Sequence, residues 1–119
     1  MANASQDHKL NVHGSNSLGG RRALAVIRQQ HGSDTVPATV ALNGLWGTGD
    51  TITVTINIGA GDLTPAYTPG ADEDAFAAAT GLAVQIALQT DVSCTAAGGT
   101  VFITKTTAGT VDVVSVVIA

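Results

Sequence analysis

The chain contains few charged, aromatic or sulfur-bearing side chains. Of its 119 residues, 12% are charged and 3% are aromatic, and there is one cysteine. Charged residues usually make up about a quarter of a globular domain, and burying an unpaired charge is costly. A surface this poor in charge is therefore suited to being covered by neighbouring subunits. Cys94 has no second cysteine to pair with, which excludes a disulfide within these residues, and we expect it to be a small core side chain.

The few charges are divided unevenly along the chain. Residues 1–37 carry four basic and two acidic side chains, a net charge of +2, whereas residues 38–119 carry one basic and seven acidic side chains, a net charge of −6. The first segment is also rich in Gly, Ser and Asn, and Val36-Pro37 marks a change to extended backbone. We predict an extended N-terminal arm over residues 1–37 and a compact body over residues 38–119. The basic arm would be attracted to acidic surfaces of other subunits.

Hydrophobic periodicity predicts several strands in the body. Residues 51–58 alternate strictly between Thr or Asn and Ile or Val, which places four apolar side chains on one face of a strand. Pro65 puts the returning segment, residues 63–68, at a sheet edge. Further strands are predicted over residues 39–42, 92–95, 100–106 and 111–119, with turns between them.

The pattern changes to a helical period after residue 71. Apolar side chains recur on one predicted face at Phe76, Ala79, Leu82, Ala83 and Ile86. The three acids at residues 72–74 suit the partial positive charge of a helix N-terminus; consecutive positions diverge around the axis, so they do not converge on a metal ion. Gly81 costs about 1 kcal/mol relative to Ala, and we expect it to let the helix lie close to the sheet.

The predicted fold class is α+β. It consists of an antiparallel β-sheet of about five or six strands packed by one α-helix, with the N-terminal arm outside it. The last strand, residues 111–119, is apolar on both faces and needs cover on both. An unpaired edge there would be an aggregation site.

Sequence motifs for catalysis or cofactor binding are missing from the chain. It has no P-loop, G-x-G-x-x-G, G-x-S-x-G or H-E-x-x-H motif. His8, His13 and His31 lie in the predicted arm without the third and fourth ligands that a zinc site needs. We therefore expect a protein that is not an enzyme, with no metal, no cofactor and no small-molecule substrate.

Nucleic-acid and membrane partners are also not expected. Arg21-Arg22 and Arg28 are too few for the basic face of a nucleic-acid-binding protein. The apolar stretch at residues 23–27 is too short to cross a bilayer, and the first residues lack the apolar core of a signal peptide. We expect synthesis in the host cytoplasm.

Three pieces of the body, in this order, resemble a module that recurs in virion proteins of tailed bacteriophages. They are G-D-T-I-T-V-T-I at residues 49–56, A-F-A-A-A-T-G-L-A-V-Q-I-A at residues 75–87 and D-V-S-C-T-A-A-G-G-T-V-F-I-T-K-T-T-A-G-T at residues 91–110. Similar modules occur in head decoration, tail and fibre proteins. The resemblance covers more than half of the chain and implies a non-enzymatic structural protein of the virion.

Within that class, we expect a capsid decoration or cement protein that binds the major capsid protein or other virion subunits. We also expect a homo-oligomer, with a trimer as one option. Ten residues are predicted to make the contacts. Six lie in the arm, one is Trp46, which has glycines nearby on both sides, and three lie in the last strand: Arg21, Arg22, Leu24, Val26, Ile27, Arg28, Trp46, Val114, Val116 and Ile118. For Trp46, a core position is the alternative.

Two other functions stay open at this point. A tail, neck or fibre component would pair the open edge of residues 111–119 with the next subunit. A surface- or carbohydrate-binding module would normally present several exposed aromatic side chains, and the chain has four in all.

Overall fold

The computed structural model describes residues 12–14 and 23–119. They form ten strands and one helix, in this order along the chain: β1 (Val12–Gly14), β2 (Leu24–Gln29), β3 (His31–Ser33), β4 (Ala38–Asn43), β5 (Ile52–Asn57), β6 (Asp62–Leu63), β7 (Ala66–Tyr67), α1 (Ala75–Ala87), β8 (Val92–Ala97), β9 (Thr100–Lys105) and β10 (Thr110–Ile118). The predicted α+β class is thereby confirmed in its coarse form, antiparallel β-structure with one α-helix.

The strands form two sheets, whereas the sequence predicted one. The first sheet has the order β1-β2-β4-β9-β8, and the second has the order β3-β10-β5-β6, with β7 also pairing with β5. Every ladder is antiparallel. The chain passes from the first sheet to the second at Gln30, because β2 pairs with β4 and β3 pairs with β10. A local pattern cannot show such a change of partner.

The predicted boundary at residue 37 is corrected for the residues from Ala23 onward. Ala23 and Ala25 are fully buried, and β2 and β3 each belong to a sheet. These residues are part of the body because their apolar side chains and backbone groups find partners on β4 and β10. The remainder of the predicted arm, residues 1–11 and 15–22, lies outside the described residues.

The core lies between the two sheets and beneath α1. β10 of the second sheet contacts β2, β4 and β9 of the first, while α1 packs against β8, β9 and β4 on one side and β7 on the other. The alternation predicted for residues 51–58 is confirmed, since Ile52, Val54 and Ile56 are fully buried and the residues between them are half-buried. The two inner faces therefore pack as a sandwich in which α1 completes the second layer.

The start of α1 bears out the capping role of the acids. Asp74 is the N-cap, and its Oδ1 accepts a hydrogen bond from the Ala77 N–H at 2.9 Å, which satisfies a backbone donor that has no partner inside the helix. Glu73 acts differently from Asp74, because its carboxylate accepts hydrogen bonds from the Tyr67 hydroxyl at 2.9 Å and from the Gly70 N–H at 2.8 Å. The acids thus fix the entry into α1.

The prediction for Gly81 is also confirmed. A Cβ at this position would overlap the ring of Tyr67 on β7, so the missing side chain is what allows α1 to approach the second sheet. Tyr67 is held in place by its hydrogen bond to Glu73. The contact between a glycine and an aromatic ring therefore sets the distance between α1 and β7.

Candidate assembly surface

Trp46 is a core residue, and its predicted role as a contact anchor is wrong for the folded chain. Its side chain is fully buried, and its indole Nε1–H donates a hydrogen bond to the Asn43 carbonyl oxygen at 3.1 Å. Its backbone pairs with that of Glu73 in both directions at 2.8 Å. The alternative given by the sequence, a core position, is confirmed. The flanking glycines carry no signal that separates the two roles.

β10 keeps one of its three predicted contact residues on the surface. The register with β5 shifts between Val113 and Ser115, and this bulge moves the inward-facing positions by one residue. Val116 is therefore fully buried, which corrects its assignment to an interface, and Ile118 packs against the core. Val114 is 50% exposed and Val117 46% exposed, so these two valines form the apolar part of the outer face of β10.

The predicted contact residues near the N-terminus divide between the faces of β2. Leu24 and Val26 are half-buried, Ile27 packs against the core, and Arg28 is exposed. Arg21 and Arg22 lie outside the described residues. The apolar stretch therefore stabilises the body through Ile27 and leaves Leu24 and Val26 on the outer face of the first sheet.

The unused edge of β10 is partly covered. β3 pairs with β10 from Thr110 to Asp112 only, and the Val113 N–H donates to the Gln30 carbonyl oxygen at 2.9 Å. His31 Nδ1 and Asp112 Oδ1, 2.8 Å apart, join the two strands on the outside. Beyond Val113, none of the described strands pairs with β10 on the side away from β5. The predicted open edge is therefore limited to the second half of the strand, after the bulge.

The two most exposed large apolar side chains of the described residues are on α1 and just beyond its end. Phe76 is 65%, Val84 54% and Leu88 72% exposed, which corrects the placement of Phe76 on the buried face. The helix contains no charged residue. A helix that is apolar all round is normally covered on all sides. In the sequence, positions 76, 80, 84 and 88 are four residues apart and therefore share one face of a helix, which indicated this outer face. Apolar residues also occupy the positions that face the core, so the spacing alone did not distinguish the two faces.

One flank of α1 lies over the end of the first sheet. Successive residues of a helix turn by about 100°, so Phe76, Thr80 and Ala87 lie together about 100–140° from Gly81, on the other side of the buried face. Because Gly81 faces β7, this flank, hereafter the α1 flank, points over β8. Phe76 and Thr80 indeed line a cavity together with Ala96 and Ala97 of β8. The α1 flank and β8 are thus parts of one surface.

β8 is the last strand of the first sheet and pairs with β9 alone among the described strands. Its sequence, VSCTAA, contains no charge and no proline, and its register with β9 is unbroken from Val92 to Ala97. Its inner face lies beneath α1, since Val92 is buried and Cys94 and Ala96 are half-buried, whereas the alternate residues are exposed. The free edge of β8, which has no partner among the described strands, thus lies beside an apolar helix.

Cys94 contributes to this region by packing. Burial raises the pKa of its thiol to about 12, although a backbone hydrogen bond from Phe102 opposes the shift. The reactive form of cysteine is the thiolate, so the side chain stays protonated and unreactive near neutral pH. The predicted core role is confirmed to the extent that Cys94 is partly buried against the core.

The described residues contain neither a metal-binding cluster nor a helix that could span a membrane. Within residues 12–14 and 23–119, no three His, Cys, Asp or Glu side chains are grouped in a way that could hold a metal ion. No helix in this part of the chain has the length and apolar character needed to cross a membrane. Comparisons of the chain with protein-family models, with curated proteins and with solved structures found no match.

Proposed function

We propose that the chain is a non-enzymatic structural protein of a tailed-bacteriophage virion, and that it decorates the capsid. The observation that carries this proposal is the apolar surface of the body, on α1 at Phe76 and Val84 and on β10 at Val114 and Val117. Each of these exposed apolar side chains would gain hydrophobic stabilisation if another protein covered it. The resemblance of residues 48–118 to modules of virion proteins supports the same role.

The low charge of this surface fits binding to an assembled lattice. A decoration protein contacts several subunits at once, and each charged group that it buries without a partner costs free energy. Binding to the assembled lattice alone stabilises that lattice by mass action, by about 2.7 kcal/mol per site when the free protein is at 100 times its Kd. The apolar faces would supply the contact area, and the basic residues before Ala23 would add attraction to acidic capsid surfaces.

A tail, neck or fibre component is the second candidate. The observation in its favour is the second half of β10, where one edge has no partner among the described strands and Val114 and Val117 are exposed. A neighbouring subunit could add a strand there and extend the second sheet around a ring. A carbohydrate-binding module has less support, because Phe76 is the one strongly exposed aromatic side chain among the described residues.

The test is co-sedimentation with capsids assembled from the major capsid protein of the same virus. The full chain is compared with a chain that begins at Ala23, which lacks β1; a deletion to Val36 would in addition remove β2 and β3 from their sheets. A full-length variant with Arg21→Ala and Arg22→Ala is the matched control for loss of charge without loss of length.

We expect the full chain to sediment with capsids, and both altered chains to bind more weakly. If the full chain does not sediment with capsids and instead forms rings or tubes on its own, the decoration role is wrong and the tail role takes its place. If the shortened chain binds as tightly as the full chain, decoration stands but the body alone makes the attachment.

A further inference from the structure

We infer that two copies of the chain pair through the edge of β8, which joins their first sheets across a two-fold axis and brings the two α1 flanks into contact. This inference rests on the proposed role as an assembly component. It needs only the chain itself, however, so it is tested without capsids and can fail separately.

Among the described residues, the edge of β8 has the fewest features that prevent pairing. β1 and β3 have three residues each, and β6 and β7 have two each, with Pro65 between them. The free half of β10 follows a bulge. Short strands, proline and bulges are the usual ways of preventing edge pairing. β8 has six residues, an unbroken register and no charge or proline, so it is built as an edge that accepts a partner.

The β8–β9 hairpin determines which backbone groups face outward. Ala97 and Thr100 flank a two-residue turn in which Gly98 and Gly99 have φ values of 60° and 82°, the positive values of a type I′ turn. The residues that flank such a turn are hydrogen-bonded to each other, and hydrogen-bonded pairs alternate along an antiparallel ladder. The N–H and C=O groups of Val92, Cys94 and Ala96 therefore point away from β9, toward the free edge.

These outward groups favour one register for two antiparallel copies. When two copies pair, residues whose N–H and C=O groups point outward must lie opposite each other. A two-fold axis at Cys94 is the one arrangement that pairs Val92, Cys94 and Ala96 of one copy with all three of these residues in the other. Val92 of one copy then lies opposite Ala96 of the other, and Cys94 lies opposite its equivalent. The exposed Ser93 faces Thr95 in the close, non-hydrogen-bonded type of pair, where Cα atoms are about 4.5 Å apart.

α1 adds an apolar contact to the same pairing. Only residues 88–91 connect α1 to β8, so α1 runs antiparallel to β8 on its inner face. A two-fold axis at Cys94 places both helices on the same side of the joined sheet, antiparallel, with the α1 flanks facing each other. Thr80 and Ala87 are small and Phe76 is 65% exposed, so the helices can approach closely and bury the aromatic ring.

Charge favours a second copy over a different partner. The 19 residues of α1 and β8 carry no charged side chain, whereas the chain as a whole has a net charge of −4. Two identical acidic chains repel each other wherever equal charges meet, and none would meet within these 19 residues. A basic partner would instead be attracted to the acidic residues elsewhere on the body.

The first experiment measures the mass of the full chain by size-exclusion chromatography with light scattering. We expect twice the 11.9 kDa of one chain. Thr80→Lys places two like charges across the axis at an exposed position and should raise the dimer Kd by at least about tenfold, since like charges brought together cost several kcal/mol. Thr64→Lys, which changes the same residue type at an exposed position between β6 and β7, is the matched control and should leave the Kd unchanged.

The second experiment tests the register by disulfide trapping in a Cys94→Ala background. Ser93→Cys with Thr95→Cys should form a reducible dimer under air oxidation, because their Cα separation across the axis falls within the range that a disulfide spans. Either cysteine alone lies opposite a residue that is not cysteine and should stay monomeric on a denaturing gel.

Three results would overturn the inference. The first is a monomer or a trimer for the wild-type chain at about 100 µM, a concentration well above a micromolar Kd. The second is dissociation by Thr64→Lys in place of Thr80→Lys. The third is trapping by the single cysteines as efficiently as by the pair. Capsid binding by a chain that is monomeric would overturn this pairing and leave the decoration role standing.

Discussion

Replacing Gly81 by alanine should destabilise the protein, although alanine is the better helix former. In an exposed helix, Gly→Ala stabilises by about 1 kcal/mol. At Gly81 the added Cβ would overlap the Tyr67 ring, and overpacking a well-filled site costs roughly 1–3 kcal/mol. Tyr67 cannot turn aside freely, because its hydroxyl donates to both carboxylate oxygens of Glu73, at 2.9 and 3.1 Å. A hydrogen bond to a charged group contributes about 1.5–3 kcal/mol.

The clash and the strained hydrogen bond together outweigh the gain in helix propensity. We expect Gly81→Ala to lower the free energy of unfolding by about 1–3 kcal/mol, measured by urea denaturation with linear extrapolation. Ala77→Gly, at an exposed position of the same helix, is the matched control. It should lose only the propensity term of about 1 kcal/mol.

A double-mutant cycle identifies the cause. In a Tyr67→Ala background the ring is gone, and Gly81→Ala should then be neutral or stabilising by up to about 1 kcal/mol. If Gly81→Ala stabilises the wild-type chain, or if its cost is the same with and without the Tyr67 ring, the proposed contact does not determine the position of α1.

Three other predictions concern the core, the helix cap and the buried thiol. Trp46→Ala should cost about 3–5 kcal/mol in urea denaturation, and a cost below about 1 kcal/mol would contradict a core role. Asp74→Ala should cost about 0.5–2 kcal/mol through loss of the N-cap, whereas Asp74→Asn, which keeps the acceptor, should cost less than half as much. Because the pKa of Cys94 is raised from 9.0 to about 12 in the folded chain, its contribution to stability is complete below pH 9 and is lost as the pH rises toward 12. Cys94→Ala should make the decline between pH 9 and 12 shallower, and an unchanged decline would show that the thiol does not contribute.

The local elements of the body were predictable because each depends on neighbours in sequence. The alternation at residues 51–58 identified β5 and its buried face. The acids before residue 75 identified the start of α1, and Asp74 is its cap. Gly81 was predicted to allow close packing, although the sequence did not show that Tyr67 is its partner.

The candidate surface was less predictable. Trp46, Val116 and Phe76 were each assigned to the wrong environment, for different physical reasons. Trp46 was proposed as a contact residue from its residue type and flanking glycines, with a core position as the alternative, and neither feature shows the backbone pairing with Glu73 that encloses it. Val116 was misplaced because a bulge after Val113 changes the side to which later residues point. Phe76 was misplaced because a helix in which nearly every residue is apolar has no polar face to define its orientation.

The sequence by itself determined the periods of the strands and helix, the cap of α1 and the scarcity of charge, since these depend on residue type and local spacing. Only the tertiary structure decided that β2 and β3 belong to different sheets, that β8 pairs with β9 alone among the described strands and that the α1 flank lies beside it. Each of these depends on which distant segment supplies the pairing partner. Segments with similar patterns can pair in many orders, and the order is selected by how their apolar faces close over a common core.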